Sequence, residues 1–194
     1  MIPTRTEAER ILAESEPMNP GNWGTHSRLA AHCAESIAAA CGLDPEKAYI
    51  VGLLHDIGRR FGKRHLGHVS DGYSYMMSLG YDEAAKICLT HSFHDYTLRN
   101  YIGKIDTTDE ETALITNELA KVIPDDYDRL IQLCDAMAGG ECILNIEDRI
   151  ADVERRYGAY PESKRNSILA LRRYFEEKSG RDIYEIVDKD NFRL

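Results

Sequence analysis

Residues 44–58 read DPEKAYIVGLLHDIG, and this stretch decides the fold class. Asp44 is a helix N-cap residue, and Pro45 suits the first helical position, where no amide hydrogen bond is lost. Ala48, Val51, Leu54 and His55 then share one face at helical spacing. Gly58 reads as the stop signal. The peculiarity is at the end of the stretch: a histidine continues the apolar stripe, and Asp56 follows it directly.

The same pattern recurs on both sides. Upstream, a short amphipathic helix over 5–15 precedes a turn-rich stretch holding Pro17, Pro20, Gly21 and Gly24. A long helix over about 25–41 follows, with the stripe His26, Leu29, Ala30, Cys33, Ile37 and a stop at Gly42. His32 lies off that stripe and reads as structural. Trp23, just before His26, reads as sealing the helix start, with stacking on a base as the alternative. Downstream, 59–67 reads as a basic loop. A helix over 68–79 carries His68, Gly72, Tyr75, Met76 and Leu79, and another from Asp82 carries Ala84, Ile87, Cys88 and His91. Residues 94–108 are polar and irregular. Helices follow from Thr108 to about 121 and from Asp126 to Ala138, the latter with Asp135 between Ile131 and Ala138. Two more amphipathic helices carry Ile146, Ile150, Val153, Tyr157, then Ile168, Leu171, Tyr174, Phe175. No period-2 strand is found. The expectation is an all-α bundle of roughly eight helices around one core. It forms one domain over 1–194, with residues after about 140 as a helical extension. That extension reads as core cover or as a dimer surface.

Composition agrees with a folded globule. The 194 residues are 43% hydrophobic and 29% charged, with a net charge of −9. An acidic chain is a poor partner for a nucleic-acid backbone. No run reaches the roughly 18 apolar residues that a membrane helix needs, and the N-terminus lacks the apolar core of a signal peptide. The five cysteines lie in or beside apolar stretches without a C-x-x-C pair, which suggests buried free thiols in a reducing cytoplasm.

Buried carboxylates are costly unless paired or bound to metal. Four histidines (His26, His55, His68, His91) and two aspartates (Asp56, Asp135) on core-facing stripes need a common partner. A divalent cation inside the bundle supplies one. His55 and Asp56, about 100° apart on a helix, would both flank an ion near its negatively polarised C-terminus.

The run GLLHDIGR (Gly52 to Arg59), with THSRLAAH upstream and LCDAMA downstream, resembles the HD superfamily of metal-dependent phosphohydrolases over about residues 21–140. The resemblance implies that His26, His55, Asp56 and Asp135 bind a metal. His68 and His91 look like the extra histidines of HD proteins with a binuclear site. In that arrangement Asp56 bridges both ions and is the catalytic carboxylate. The pattern is similar to bacterial HD enzymes that split dinucleoside tetraphosphates. It implies hydrolysis of a nucleotide, dinucleotide or other small phosphate ester by a metal-activated water. The N/O ligand set suits Fe or Mn first, with Zn or Mg also compatible and Ca less so. Alternatives are a non-catalytic regulatory module that binds metal and nucleotide, and a di-iron oxygenase. A homodimer is the default assembly.

Several residues stay open at this point. His65 competes with His68 as ligand, and His94, three residues after His91, faces either the site or solvent. Arg59, Arg60 and Lys63 would capture phosphate, or form a solvated loop. Arg28 is a weaker candidate for the same role. Asp95 would orient a ligand or solvate, and Asp106 and Asp109 would cap or solvate.

Overall fold

A computed structural model describes residues 1–189, 191 and 192. Ten α-helices occur among them: α1 (Arg5–Ser15), α2 (Trp23–Ala40), α3 (Pro45–Leu54), α4 (Gly67–Ser78), α5 (Asp82–Thr90), α6 (Asp109–Leu119), α7 (Asp126–Met137), α8 (Ile146–Tyr157), α9 (Glu162–Ser179) and α10 (Ile183–Ile186). The described residues contain no strand, only one isolated bridge between Ala138 and Ile143. No helix is long and apolar enough to cross a membrane.

The caps follow the sequence. The Asp44 side chain accepts from the backbone N–H groups of Glu46 and Lys47. Thr108 and Glu111 form a reciprocal capping box at the start of α6. The start of α4 has no local side-chain cap. Asp106 serves it from a distance, accepting from Gly67 N at 2.9 Å and from His65 N at 2.6 Å. The orphan amides of that helix end are thereby satisfied.

Helix α2 runs through the middle of the molecule. One side (Leu29, Cys33, Ile37) joins a core made with α7, α8 and α9, including Leu130, Ile150, Ile168 and Phe175. The other side meets α1 and α3 through Ala31, with Ile11, Leu12, Ile50 and Leu54. Fully burying a side chain of this size contributes about 1.5–3 kcal/mol. Helices α2 and α3 touch almost backbone to backbone, because a Cβ on Gly52 would lie 3.0 Å from Ala31 Cα. That approach brings His26 and His55 together.

Four expectations change. Helix α3 is buried all round rather than on one face, because α1, α2, α5 and α7 surround it. It also ends at Leu54, not at Gly58: His55 is its C-cap, and Asp56 leaves helical geometry with φ −103° and ψ 15°. Residues Ile57–Phe61 form a 3₁₀ turn where a loop was expected. Gly58 is there for space. A Cβ on it would lie 2.0 Å from His68 O and 2.6 Å from Gly72 N. Of the cysteines, Cys33, Cys88 and Cys134 are buried, but Cys41 is half-buried and Cys142 exposed; all five are free thiols.

Candidate metal centre

The packing described above converges on two groups of three side chains. His26, His55 and Asp135 form one, and Asp56, His68 and His91 the other; within each group, one potential ligand atom per residue lies within 4.8 Å of the rest. The sequence separated these residues by as many as 109 positions, from His26 to Asp135. The close approach of Gly58 to His68 and Gly72 holds the HD turn against α4. Gln132 of α7 donates to Thr90 O and Phe93 O, both at 3.1 Å, and so fixes the end of α5 that carries His91. Beside it, fully buried Asp128 accepts from Thr90 Oγ1 at 2.9 Å and pairs with Lys86 at 2.8 Å.

The imidazoles are oriented alike. His26 Nδ1 lies 3.0 Å from Ala138 O, His55 Nδ1 2.7 Å from Gly52 O, and His91 Nδ1 2.9 Å from Cys88 O. His68 Nδ1 bonds His65 O. A carbonyl only accepts, so each Nδ1 carries a proton, and Nε2 is the atom aimed inward. Fixing the tautomer through a backbone carbonyl is how metal-ligating histidines are oriented.

The inward atoms are crowded acceptors. His26 Nε2 and His55 Nε2 are 3.2 Å apart, as are His68 Nε2 and His91 Nε2. Asp135 Oδ1 is 3.0 Å from His26 Nε2 and 3.8 Å from His55 Nε2. Asp56 Oδ1 is 3.1 Å from His68 Nε2 and 3.6 Å from His91 Nε2, and it is buried with no hydrogen-bond donor. Facing lone pairs around an unsatisfied carboxylate oxygen fit a bound cation and little else. This donor set therefore suits a divalent metal.

The charge states of His55, His68, Asp56 and Asp135 agree, and His26 is the exception, because Asp135 favours its protonated form. Burial holds His55 near its neutral form, with its pKa down to about 4. Burial and the Arg59 charge push His68 down. Burial works against ionisation of Asp56, but the Arg59 charge and His68 outweigh it and hold the carboxyl well below its usual range. His26 also meets a burial penalty, which the hydrogen bond to Asp135 overcomes, so its pKa rises. Asp135 is correspondingly held low against its own burial. Two ionised carboxylates and inward imidazole nitrogens thus face one another in a buried space.

Against the sequence reading, the structure brings His26, His55, Asp56, His68, His91 and Asp135 together and leaves others out. Asp56 Oδ1 groups with His68 and His91, while its Oδ2 accepts from Arg59 Nε at 3.0 Å. His65 lends only its carbonyl to His68, and its ring faces Tyr157. His94 lines the cavity above the triads but joins neither. Arg59 and Lys63 reach that cavity. Arg60 does not: its guanidinium stacks on Tyr75, 4.1 Å from the ring centroid, and meets Met18 Sδ. Arg28 is held by Glu16 through two 2.7 Å bonds. Trp23 donates to Asn19 O at 2.7 Å and packs beside α3 at the start of α2, and it also lines the cavity, so both the sealing and the stacking roles fit its position. His32 bonds Val187 O at 3.0 Å and stacks on Phe192. Asp95 closes its own loop by accepting from Thr97 N and Asn100 Nδ2.

The cavity measures about 560 Å³. Its rim holds residues that the sequence reading left in the C-terminal cover: Arg149, Val153, Arg156, Tyr160 and Lys164. Arg149, Val153 and Arg156 fall at i, i+4 and i+7 on α8, so two basic residues flanking the apolar stripe at Val153 were the available signal.

With this geometry in view, comparison with known proteins adds one result. The HD domain family model matches residues 23–140. The chain belongs to the HD domain family. The matched segment contains all six residues of the two triads. Membership implies metal-dependent phosphohydrolase chemistry in general. No curated protein and no solved structure matches the chain.

Proposed function

We propose that this HD protein hydrolyses a small phosphate ester or phosphoanhydride, with a nucleotide or dinucleotide as the substrate class. The observation that supports this most is the pair of triads, each with a buried or half-buried carboxylate and inward-facing Nε2 atoms, at the floor of an open cavity. His26, His55 and Asp135 would hold one divalent ion, and Asp56, His68 and His91 a second, with iron or manganese preferred for this donor set. Such ions supply Lewis acidity toward phosphoryl oxygens and bring the pKa of a bound water toward neutrality.

The chain's own groups do the rest. The four backbone carbonyls hold the imidazole tautomers, so no ligand has to rotate. Arg59 keeps Asp56 ionised, and with Lys63 it presents positive charge to phosphoryl oxygens entering the cavity.

The test is hydrolysis by full-length protein loaded with Mn²⁺ or Fe²⁺, read as p-nitrophenol release or as the nucleotide products separated by chromatography. The panel is bis-p-nitrophenyl phosphate, nucleoside mono-, di- and triphosphates, and diadenosine tetraphosphate. Turnover of at least one compound, lost in Asp56→Ala, is expected. Metal-loaded protein that hydrolyses none of them would contradict the proposal.

A further inference from the structure

The cavity above the triads is chemically lopsided. Its charged walls hold six cations (Arg59, Lys63, Arg64, Arg149, Arg156, Lys164) and no carboxylate besides the triad members Asp56 and Asp135. This occurs in a chain of net charge −9. Arg59, Arg64 and Arg156 are each paired with a carboxylate. Lys63, Arg149 and Lys164 have no ion pair among the described residues.

Lys164 is the most constrained of these. It is partly buried, and its Nζ reaches only a backbone oxygen, Ser92 O at 3.3 Å. Burial pushes its ammonium pKa down, the charges of Asp135 and Asp95 pull it back up, and Arg149 opposes them. His94 lies against it on the same wall. Its Nδ1 is buried and has no hydrogen-bond partner, and burial followed by the Lys164 charge takes its pKa to about 3. A desolvated cation without a counter-ion beside an unsatisfied polar nitrogen opposes folding, and such strain marks a place shaped for a ligand. Asp135, the carboxylate felt most strongly by Lys164, belongs to a triad. Once it holds a metal, its charge no longer balances Lys164 and Arg149.

These residues come from α8, α9 and the segment after α5, separate from the Arg59–Lys63 turn. Arg149 and Lys164 also lie beyond the segment matched by the HD family. We infer that Arg149, Lys164 and His94 form a second anion subsite, which holds a further phosphoryl group of the molecule whose first phosphate lies at the triads. The substrate therefore carries at least two phosphates, as a phosphoanhydride or a bisphosphate, and a simple monoester fills only half of the site. This rests on the hydrolase reading for the first phosphate and specifies its substrate class. A tetrahedral oxyanion suits two cations from different helices, with the His94 ring lining the same cavity.

The experiment is calorimetric titration of the Mn²⁺-loaded full chain with orthophosphate and with methylenediphosphonate, which is not hydrolysed, at equal free Mn²⁺. Wild type, Lys164→Met, Lys164→Arg and Arg149→Gln are compared. Wild type should bind the diphosphonate at least about tenfold more tightly than orthophosphate, equivalent to about 1.4 kcal/mol. Lys164→Met and Arg149→Gln should each collapse most of that ratio through weaker diphosphonate binding. Lys164→Arg should keep it. Orthophosphate binding in the same samples reports that the centre is intact. An unchanged ratio in both charge-removing variants would overturn the subsite. Hydrolysis of the panel above is measured separately: if it is absent while the ratio collapses, the hydrolase reading falls and the subsite stands, and the reverse result removes the subsite alone.

Discussion

Residues 23–140 and the helices after them contribute to one cavity in different ways. The first segment supplies every ligand of both triads, each imidazole locked by a backbone carbonyl. The second supplies no ligand, yet it brings Arg149, Arg156 and Lys164 to the rim while Ile146, Ile150, Ile168 and Phe175 join the core around α2 and α7. The two parts share a hydrophobic interior but divide the chemistry. The triads are held by tight backbone approach, and half of the cavity's cations are carried on later helices, the other half on the segment after the HD turn. A chain can therefore keep its metal chemistry while its rim changes.

That division can be broken most severely at Asp128. It is fully buried and held by Lys86 and Thr90. Asp128→Ala leaves the Thr90 hydroxyl without its acceptor and Lys86 to Asp125 alone, and should lower unfolding stability by about 1–3 kcal/mol in a denaturant titration. Metal content should fall with it, because Thr90 and the Gln132 bonds position His91. Asp56→Ala should leave a folded chain but cut activity or metal affinity at least ~10²-fold, since even outer partners of a metal cost 10–100-fold. Gly58→Ala places a methyl against the His68 carbonyl. A stability loss of about 1–3 kcal/mol is expected for such overpacking, with selective loss of the metal at His68 and His91.

Acid should expose the neutral imidazole on the rim. His94 has a folded pKa of about 3, below its ordinary 6.5. The unfolded chain therefore takes up the proton first, and stability is complete above about pH 6.5 and falls as pH drops toward 3. The slope from this group is at most about 1.4 kcal/mol per pH unit. His94→Gln should flatten that part of the curve in metal-free protein. The smallest effect sharpens the division: Arg156→Gln should leave metal content per chain at the wild-type value, measured by elemental analysis.

The convergence of the two triads was legible because polar side chains stood where apolar ones belonged. His26, His55, His68 and His91 each interrupt a stripe, and burial makes that substitution costly without a partner. The fold class followed from periodicity and from caps such as Asp44 and Thr108. Other features depend on tertiary contact and leave no local trace. The end of α3 at Leu54 reflects the packing of the 3₁₀ turn on α4, where Gly58 looked like a stop signal but provides clearance. Arg60 sits in the same basic run as Arg59 and Lys63, yet Tyr75 draws it away from the cavity. The C-terminal cations were missed because an amphipathic helix shows which face is apolar, not whether its polar flank meets solvent or a site.

The central claim is that two triads, not one, bind metal. Elemental analysis of untagged protein purified without chelator, alongside His68→Ala and His91→Ala, tests it directly. About two equivalents of Fe or Mn per chain in wild type, falling to about one in each variant, is the expected result. About one equivalent in all three proteins would contradict the account and reduce Asp56, His68 and His91 to a hydrogen-bonded core.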